Sequence, residues 1–138
     1  MTRYATTFLA LVAAQIAHSV EEYLGRLWDV FPPARFVAGL ISEDRRFGFI
    51  VFNVALISFG IWCFFWPVLR RWSSATAFMS FWVVIELING AGHILWSVQA
   101  RGYTPGVITA PLLLILALVL GWELRKEAAT FSSPASSE

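Results

Sequence analysis

The stretch that decides the fold is FGFIVFNVALISFGIWCFFWPVL, residues 47–69, which contains no charged side chain. A helix of about 20 mostly apolar residues crosses the ~30 Å hydrocarbon core of a membrane, because each residue rises about 1.5 Å. This stretch has that length and that composition. It therefore predicts a membrane-spanning helix.

Three further segments, residues 4–24, 72–99 and 106–124, have a similar character, and the second of them contains a single charged residue, Glu86. Hydrophobic residues make up 58% of the chain and charged residues 14%, with a mean hydropathy of +0.68. Soluble proteins average about 45–50% and about 25%, respectively. We predict an all-α fold, an antiparallel bundle of four transmembrane helices.

The connections between the segments are unequal. Residues 25–46 include Trp28, Phe36 and the pair Pro32-Pro33, which suit a segment lying in the membrane interface between helices 1 and 2. We expect one domain over residues 1–126 and a disordered C-terminal tail over residues 127–138. A competing interpretation of the first segment is a secretory signal cleaved after Ala17.

The charged residues argue against one class of partner and give little indication of the membrane orientation. The net charge of +1 and the lack of a basic stripe argue against nucleic acid as a partner. Four crossings put both termini on one side of the cell membrane, and the positive residues divide equally between the sides. Because the Arg70-Arg71 turn is short and has no acidic partner, we expect cytoplasmic termini.

Ionisable and amide side chains fall on matching faces of two segments. His18 and Glu22 share one helical stripe, with Glu21 to its side, because residues four apart lie on the same face. Glu86, Asn89 and His93 form a second stripe. Up-and-down topology brings both stripes to the same half of the membrane, and it adds two residues from the other segments, Asn53 and Thr109.

Such groups are costly in a membrane, at about 2.5–3.5 kcal/mol for a charge at a helix centre. The cost falls where carboxylates share a metal ion or a proton. Nitrogen and oxygen ligands suit a divalent cation, zinc or iron. We predict a metal site built from His18, Glu22, Glu86 and His93.

The sequence His18-Ser-Val-Glu21-Glu22-Tyr23 resembles the signature of the HXXEE family of small bacterial membrane proteins. The resemblance covers roughly residues 8–120 and includes the stretch Tyr103-Thr-Pro-Gly-Val-Ile-Thr109-Ala110. It implies a bacterial inner-membrane location and an enzymatic or metal-binding role, without a particular reaction.

Two functions are compatible with these residues. The first is a metal-dependent membrane enzyme, a hydrolase or an isomerase or cyclase, that acts on a lipophilic small molecule entering from the surrounding lipids. Glu21 would be the catalytic general base, and Asn53, Asn89, Tyr103 and Thr109 would orient the ligands or the substrate. The second is a non-catalytic carrier or sensor of a lipophilic ligand, a metal or protons. Assembly into a homo-oligomer is left open.

Overall fold

The computed structural model describes residues 1–132, and over that range the chain is helical, with no β-strand. The predicted all-α class is therefore confirmed for the described residues. The helices are α1 (Arg3–Leu24), α2 (Leu27–Val30), α3 (Pro32–Ile41), α4 (Arg45–Cys63), α5 (Ala75–Ala100) and α6 (Ala110–Ser132). A π-helical segment, Phe64–Val68, continues α4.

The π-helical segment has a cause in the sequence. Pro67 lies inside it, and a proline ring in a regular helix clashes with the carbonyl four residues earlier, that of Cys63. The wider turn relieves this clash, and Leu69 N–H donates to Phe64 O, five residues back, at 3.0 Å. The helix therefore continues past the proline instead of ending at it.

Two helices, not four, are long and apolar enough to cross a membrane by length and composition. They are Arg45–Val68, which is α4 with its π continuation, and α5. The expected first and fourth spans do not reach that standard. Helix α1 carries Gln15, His18 and two glutamates, and α6 has its charged residues in its second half.

The boundaries differ from the expected ones where turns replace the first residues of a predicted helix. Helix α5 begins at Ala75 instead of residue 72, and α6 begins at Ala110 instead of residue 106, so that Thr109 lies in a turn. Helix α6 runs to Ser132, past the predicted boundary at residue 126. The rest of the predicted tail, residues 133–138, lies outside the described residues.

The long helices contact one another in pairs. Helix α1 packs against α4 and α6, and α5 packs against α6 and α4. Phe8, Leu11 and Trp82 are fully buried at the centre of the largest apolar cluster. These contacts bring the C-terminal part of α1 towards the C-terminal part of α5.

The segment between α1 and α4 folds back onto the protein. Helix α3 lies against α4 so closely that a Cβ atom on Gly48 would stand 2.1 Å from the carbonyl oxygen of Ala38. Trp28 and Phe49 pack together in a second apolar cluster, with ring centroids 5.1 Å apart. Helices α2 and α3 therefore cover one side of α4 near its N-terminus.

Large apolar side chains are exposed and several ionisable side chains are buried, in addition to the apolar clusters described above. Large aliphatic side chains point outward along three helices, including Val54, Val84, Ile88, Leu95, Ile115 and Leu118. The following polar and ionisable side chains are buried together with the apolar core: Gln15, His18, Ser19, Glu22, Asn53, Glu86, His93 and Thr104.

Candidate functional site

Two histidines meet on one carboxylate oxygen in the interior. Glu22 Oε1 lies 3.3 Å from His18 Nε2 and 3.0 Å from His93 Nε2. One ligand atom from each of these residues lies within 4.8 Å of the others, and all three side chains are buried. We call this set the His–Glu–His cluster.

The helices explain why these three side chains meet. His18 and Glu22 are one turn apart on α1, and His93 comes from α5, so the cluster joins two helices that are far apart in sequence. The two imidazole rings pack edge to face with centroids 4.7 Å apart. The sequence prediction that these three residues lie together agrees with this geometry.

The backbone of Gly106 covers the two rings. Its φ is +93°, a backbone conformation that residues other than glycine rarely adopt. A Cβ atom at this position would lie 2.6 Å from His93 Nδ1 and 2.8 Å from His18 Cε1. Only glycine fits here, because the turn before α6 rests directly on the imidazoles.

Glu21 does not join the cluster, although it is the predicted general base. Its two carboxylate oxygens accept five hydrogen bonds from the turn before α6: three from the backbone N–H groups of Gly106, Ile108 and Thr109, and two from the hydroxyls of Thr109 and Tyr103. A carboxylate with this many donors is a weak proton acceptor. The geometry therefore favours Glu21 as the anchor of the turn.

Thr109 connects the anchor to the cluster. Its Oγ1 lies 2.6 Å from Glu21 Oε2 and 2.7 Å from His18 Nδ1. An ionised carboxylate only accepts, so the hydroxyl donates its proton to Glu21 and accepts from the Nδ1–H group of His18. The Nε2 atom of His18, which is buried without a hydrogen bond, is left with a free lone pair.

The other predicted metal ligand, Glu86, lies outside the His–Glu–His cluster. Its side chain is fully buried, and its nearest polar neighbours are the amides of Gln15 and Asn89. Asn53 donates from Nδ2 to Phe49 O at 3.1 Å and accepts from Ser19 Oγ at 2.7 Å. Glu86 and Asn53 thus belong to a separate polar chain that adjoins the cluster.

A cavity of about 170 Å³ lies beside the cluster and is lined mainly by residues of α3, α4 and α5. Its walls are mostly apolar, with Phe31, Phe49 and Phe52 among them. Four polar side chains also line it: Glu22, Asn53, Asn89 and His93. The cavity therefore offers apolar surface next to two members of the cluster.

Comparison of the sequence with known protein families identifies the family of this chain. Residues 9–120 match the model of the family described as "Protein of unknown function with HXXEE motif", and His18, Glu21 and Glu22 supply that motif. The chain belongs to the HXXEE family. No curated protein and no solved structure matches it.

The geometry gives the HXXEE spacing a physical meaning. The histidine and the last glutamate, four residues apart, point into the His–Glu–His cluster. The first glutamate, three residues after the histidine, points towards the turn before α6 instead. One helical turn of the HXXEE motif thus supplies both the cluster and the anchor that holds the covering turn.

Tyr103 is the one predicted site residue at the surface, with 60% of the residue exposed. Its hydroxyl donates to Glu21 Oε1 at 3.3 Å. Partial burial, together with the neighbouring Glu21 carboxylate and this hydrogen bond, raises the pKa of the Tyr103 phenol above its usual value. Tyr103 therefore helps to anchor the turn from the outside.

Two residues that matter here, Ser19 and Gly106, are not among the predicted site residues. Ser19 lies inside the HXXEE motif and on the buried face of α1. Its position next to His18 could therefore have indicated that it belongs to the site. The Pro105-Gly106 pair predicts a turn, but nothing in the sequence indicates that this turn covers two imidazoles.

Proposed function

We propose that this HXXEE protein is a membrane-embedded, metal-dependent enzyme that acts on a lipophilic substrate, with His18, Glu22 and His93 as the metal ligands. The single observation that carries the proposal is the meeting of two imidazole Nε2 atoms on Glu22 Oε1. Two histidines and one carboxylate are a frequent ligand set for catalytic zinc and for non-haem iron.

Two of the three distances between the ligand atoms suit a metal ion. Ligands at about 2.0–2.1 Å from zinc in a tetrahedron lie about 3.3 Å from one another. The two nitrogen-to-oxygen distances, 3.3 and 3.0 Å, are close to that value. The hydrogen bond from His18 Nδ1–H to Thr109 adds the outer contact that usually orients a metal-binding imidazole.

A bound divalent ion would supply an activated water or polarise a substrate oxygen. The residues of this chain bind and orient: Glu22 and His93 also line the cavity, whose aromatic walls suit the apolar part of a substrate. Hydrolysis is the reaction that this arrangement favours, with acid/base isomerisation or cyclisation as the other enzymatic outcome.

The proposal includes four membrane crossings in an antiparallel bundle, in the cell membrane, with cytoplasmic termini. The outward aliphatic side chains and the buried ionisable ones support this arrangement. In this view α1 and α6, which are more polar than α4 and α5, cross with their polar residues turned inward. Helices α2 and α3 then lie at the membrane surface above the cavity.

Metal analysis of the full chain purified in detergent tests the proposal. We expect about one equivalent of zinc or iron in the wild type and in the control Glu43→Gln, which alters an exposed glutamate. We expect its loss in His18→Ala, Glu22→Gln and His93→Ala. A folded wild type that contains no metal and binds neither added zinc nor added iron would contradict the proposal.

A second function, a non-catalytic binding protein for a lipophilic ligand or protons, is favoured by one specific distance. His93 Nε2 and Glu22 Oε1 are 3.0 Å apart, which is hydrogen-bond distance. The cluster can therefore exist as a proton-sharing group without a metal. A wild type that takes up no metal but retains a bound lipid would support this second function.

A further inference from the structure

A chain of four buried polar side chains runs beside the His–Glu–His cluster. One end of the Gln15 amide lies 3.2 and 3.0 Å from the two carboxyl oxygens of Glu86. The other end lies 3.1 Å from Ser19 Oγ, which lies 2.7 Å from Asn53 Oδ1. The four side chains are each at most 7% exposed.

The orientation of the Gln15 amide depends on whether Glu86 carries a proton. A protonated Glu86 donates to the amide oxygen of Gln15, whose nitrogen then donates to Ser19 Oγ. An ionised Glu86 accepts only, so the amide turns over and its nitrogen faces the carboxylate. The amide oxygen then faces Ser19.

Ser19 transmits the difference because its hydroxyl has one proton. When the Gln15 nitrogen donates to Ser19, the hydroxyl donates to Asn53 Oδ1. When the Gln15 oxygen faces Ser19, the hydroxyl donates to Gln15 and Asn53 Oδ1 loses its donor. Asn53 cannot compensate by rotating, because its Nδ2 donates to Phe49 O.

We propose that Glu86 is a proton-binding site whose occupancy sets the direction of the hydrogen-bond chain through Gln15 and Ser19 and so changes the state of Asn53 at the cavity wall. The proton exchanges with water, and no metal is required. The regulated element is the cavity, which Asn53 lines together with Glu22 and His93.

The charged groups around Glu86 are few. Within residues 1–132 it has no ion pair, and the charge that acts on it from α1 is that of Glu22. On its own helix the next ionisable residue, His93, lies seven positions further along. Helices α4 and α6 also pack against α5. Neither residues 47–69, in and after α4, nor residues 110–122 of α6 include a charged side chain. None of these stretches offers a cation to pair with this carboxyl, which protonation would neutralise.

The test combines infrared and NMR measurements on the full chain in detergent, with a chelator present so that the His–Glu–His cluster is metal-free. The infrared band of a protonated carboxyl should be present in the wild type and in Glu43→Gln, and it should be lost in Glu86→Gln. The chain has two asparagines and two glutamines, so the side-chain amide spectrum is simple to assign.

We expect the Asn53 amide resonances to shift with the same pH midpoint as the loss of the carboxyl band. In Ser19→Ala the band should still titrate, while Asn53 becomes insensitive to pH. Gln15→Met, which breaks the chain one link earlier, should have the same effect. The proposal would be overturned if the Asn53 resonances of the wild type did not shift as Glu86 titrates. It would also be overturned if they still shifted in Ser19→Ala, or if no carboxyl band titrated.

Discussion

Thr109 Oγ1 lies 2.7 Å from His18 Nδ1, although the two residues are 91 positions apart in the sequence. The same hydroxyl lies 2.6 Å from Glu21 Oε2. Because the carboxylate can only accept, this contact fixes the proton of His18 on Nδ1. The HXXEE motif therefore orients its own histidine through a residue of the turn before α6.

Replacing Thr109 should weaken metal binding without removing a ligand. Thr109→Val keeps the shape of the side chain but removes the hydroxyl, so His18 loses the contact that fixes its tautomer. We expect zinc affinity to fall about 10- to 100-fold, measured by competition with a chelating dye. Thr109→Ser should restore it, and Thr76→Val, at the opposite end of the molecule, should have no effect. Equal affinities in Thr109→Val and the wild type would show that the hydroxyl does not orient His18.

Adding one methyl group at Gly106 should disturb both imidazoles. Gly106→Ala places a Cβ atom 2.6 Å from His93 Nδ1 in a backbone with φ +93°. We expect a loss of about 1–3 kcal/mol in unfolding free energy from the backbone alone, seen as a lower thermal midpoint. The matched control is Gly92→Ala in α5, where a Cβ would meet nothing within 4 Å. A Gly106→Ala protein as stable as Gly92→Ala would contradict the close approach.

The raised pKa of Tyr103 predicts a pH-dependent contribution to stability. Below pH 10 the phenol retains its proton and donates to Glu21; as the pH rises through the raised pKa of Tyr103, the phenolate faces the carboxylate and the contribution is lost. We expect the difference in thermal midpoint between the wild type and Tyr103→Phe to disappear at alkaline pH. A titration of Tyr103 absorbance with a midpoint at or below 10 would contradict the shift.

The proposed four crossings predict which positions face the same side of the membrane. In a Cys63→Ser background, which removes the single native cysteine, new cysteines at Thr2 and Ser73 should react with a membrane-impermeant reagent from one side. Cysteines at Glu43 and Gly102 should react from the other side. Labelling of intact cells and of inverted vesicles gives the two readings. Reactivity of Thr2 and Gly102 from the same side would rule out four crossings.

Periodicity predicted much of the site before the structure. His18 and Glu22 share a stripe in any α-helix, and the up-and-down order of the segments places His93 at the same level. Glu86 was placed in the same ligand set because it shares a stripe with Asn89 and His93. It lies two helical turns before His93, which is enough to put it beside Gln15 instead of Glu22.

The role of Glu21 was not readable from the sequence. Two adjacent glutamates on a helix differ by about 100° in direction, so they face different neighbours. Spacing indicates that difference but does not identify the neighbours. Only the packed position of residues 106–109 shows that Glu21 meets a row of donors while Glu22 meets two imidazoles.

The sequence alone determined that the chain is helical, that its composition is typical of membrane proteins and that His18 and Glu22 lie on the same helical face. These properties follow from the local hydropathy and from the helical repeat. The tertiary structure decided which carboxylate joins the histidines, which one anchors a turn and which one stays apart from both. Those choices depend on how helices that are distant in sequence rotate and approach one another, and a repeat of 3.6 residues contains no information about that approach.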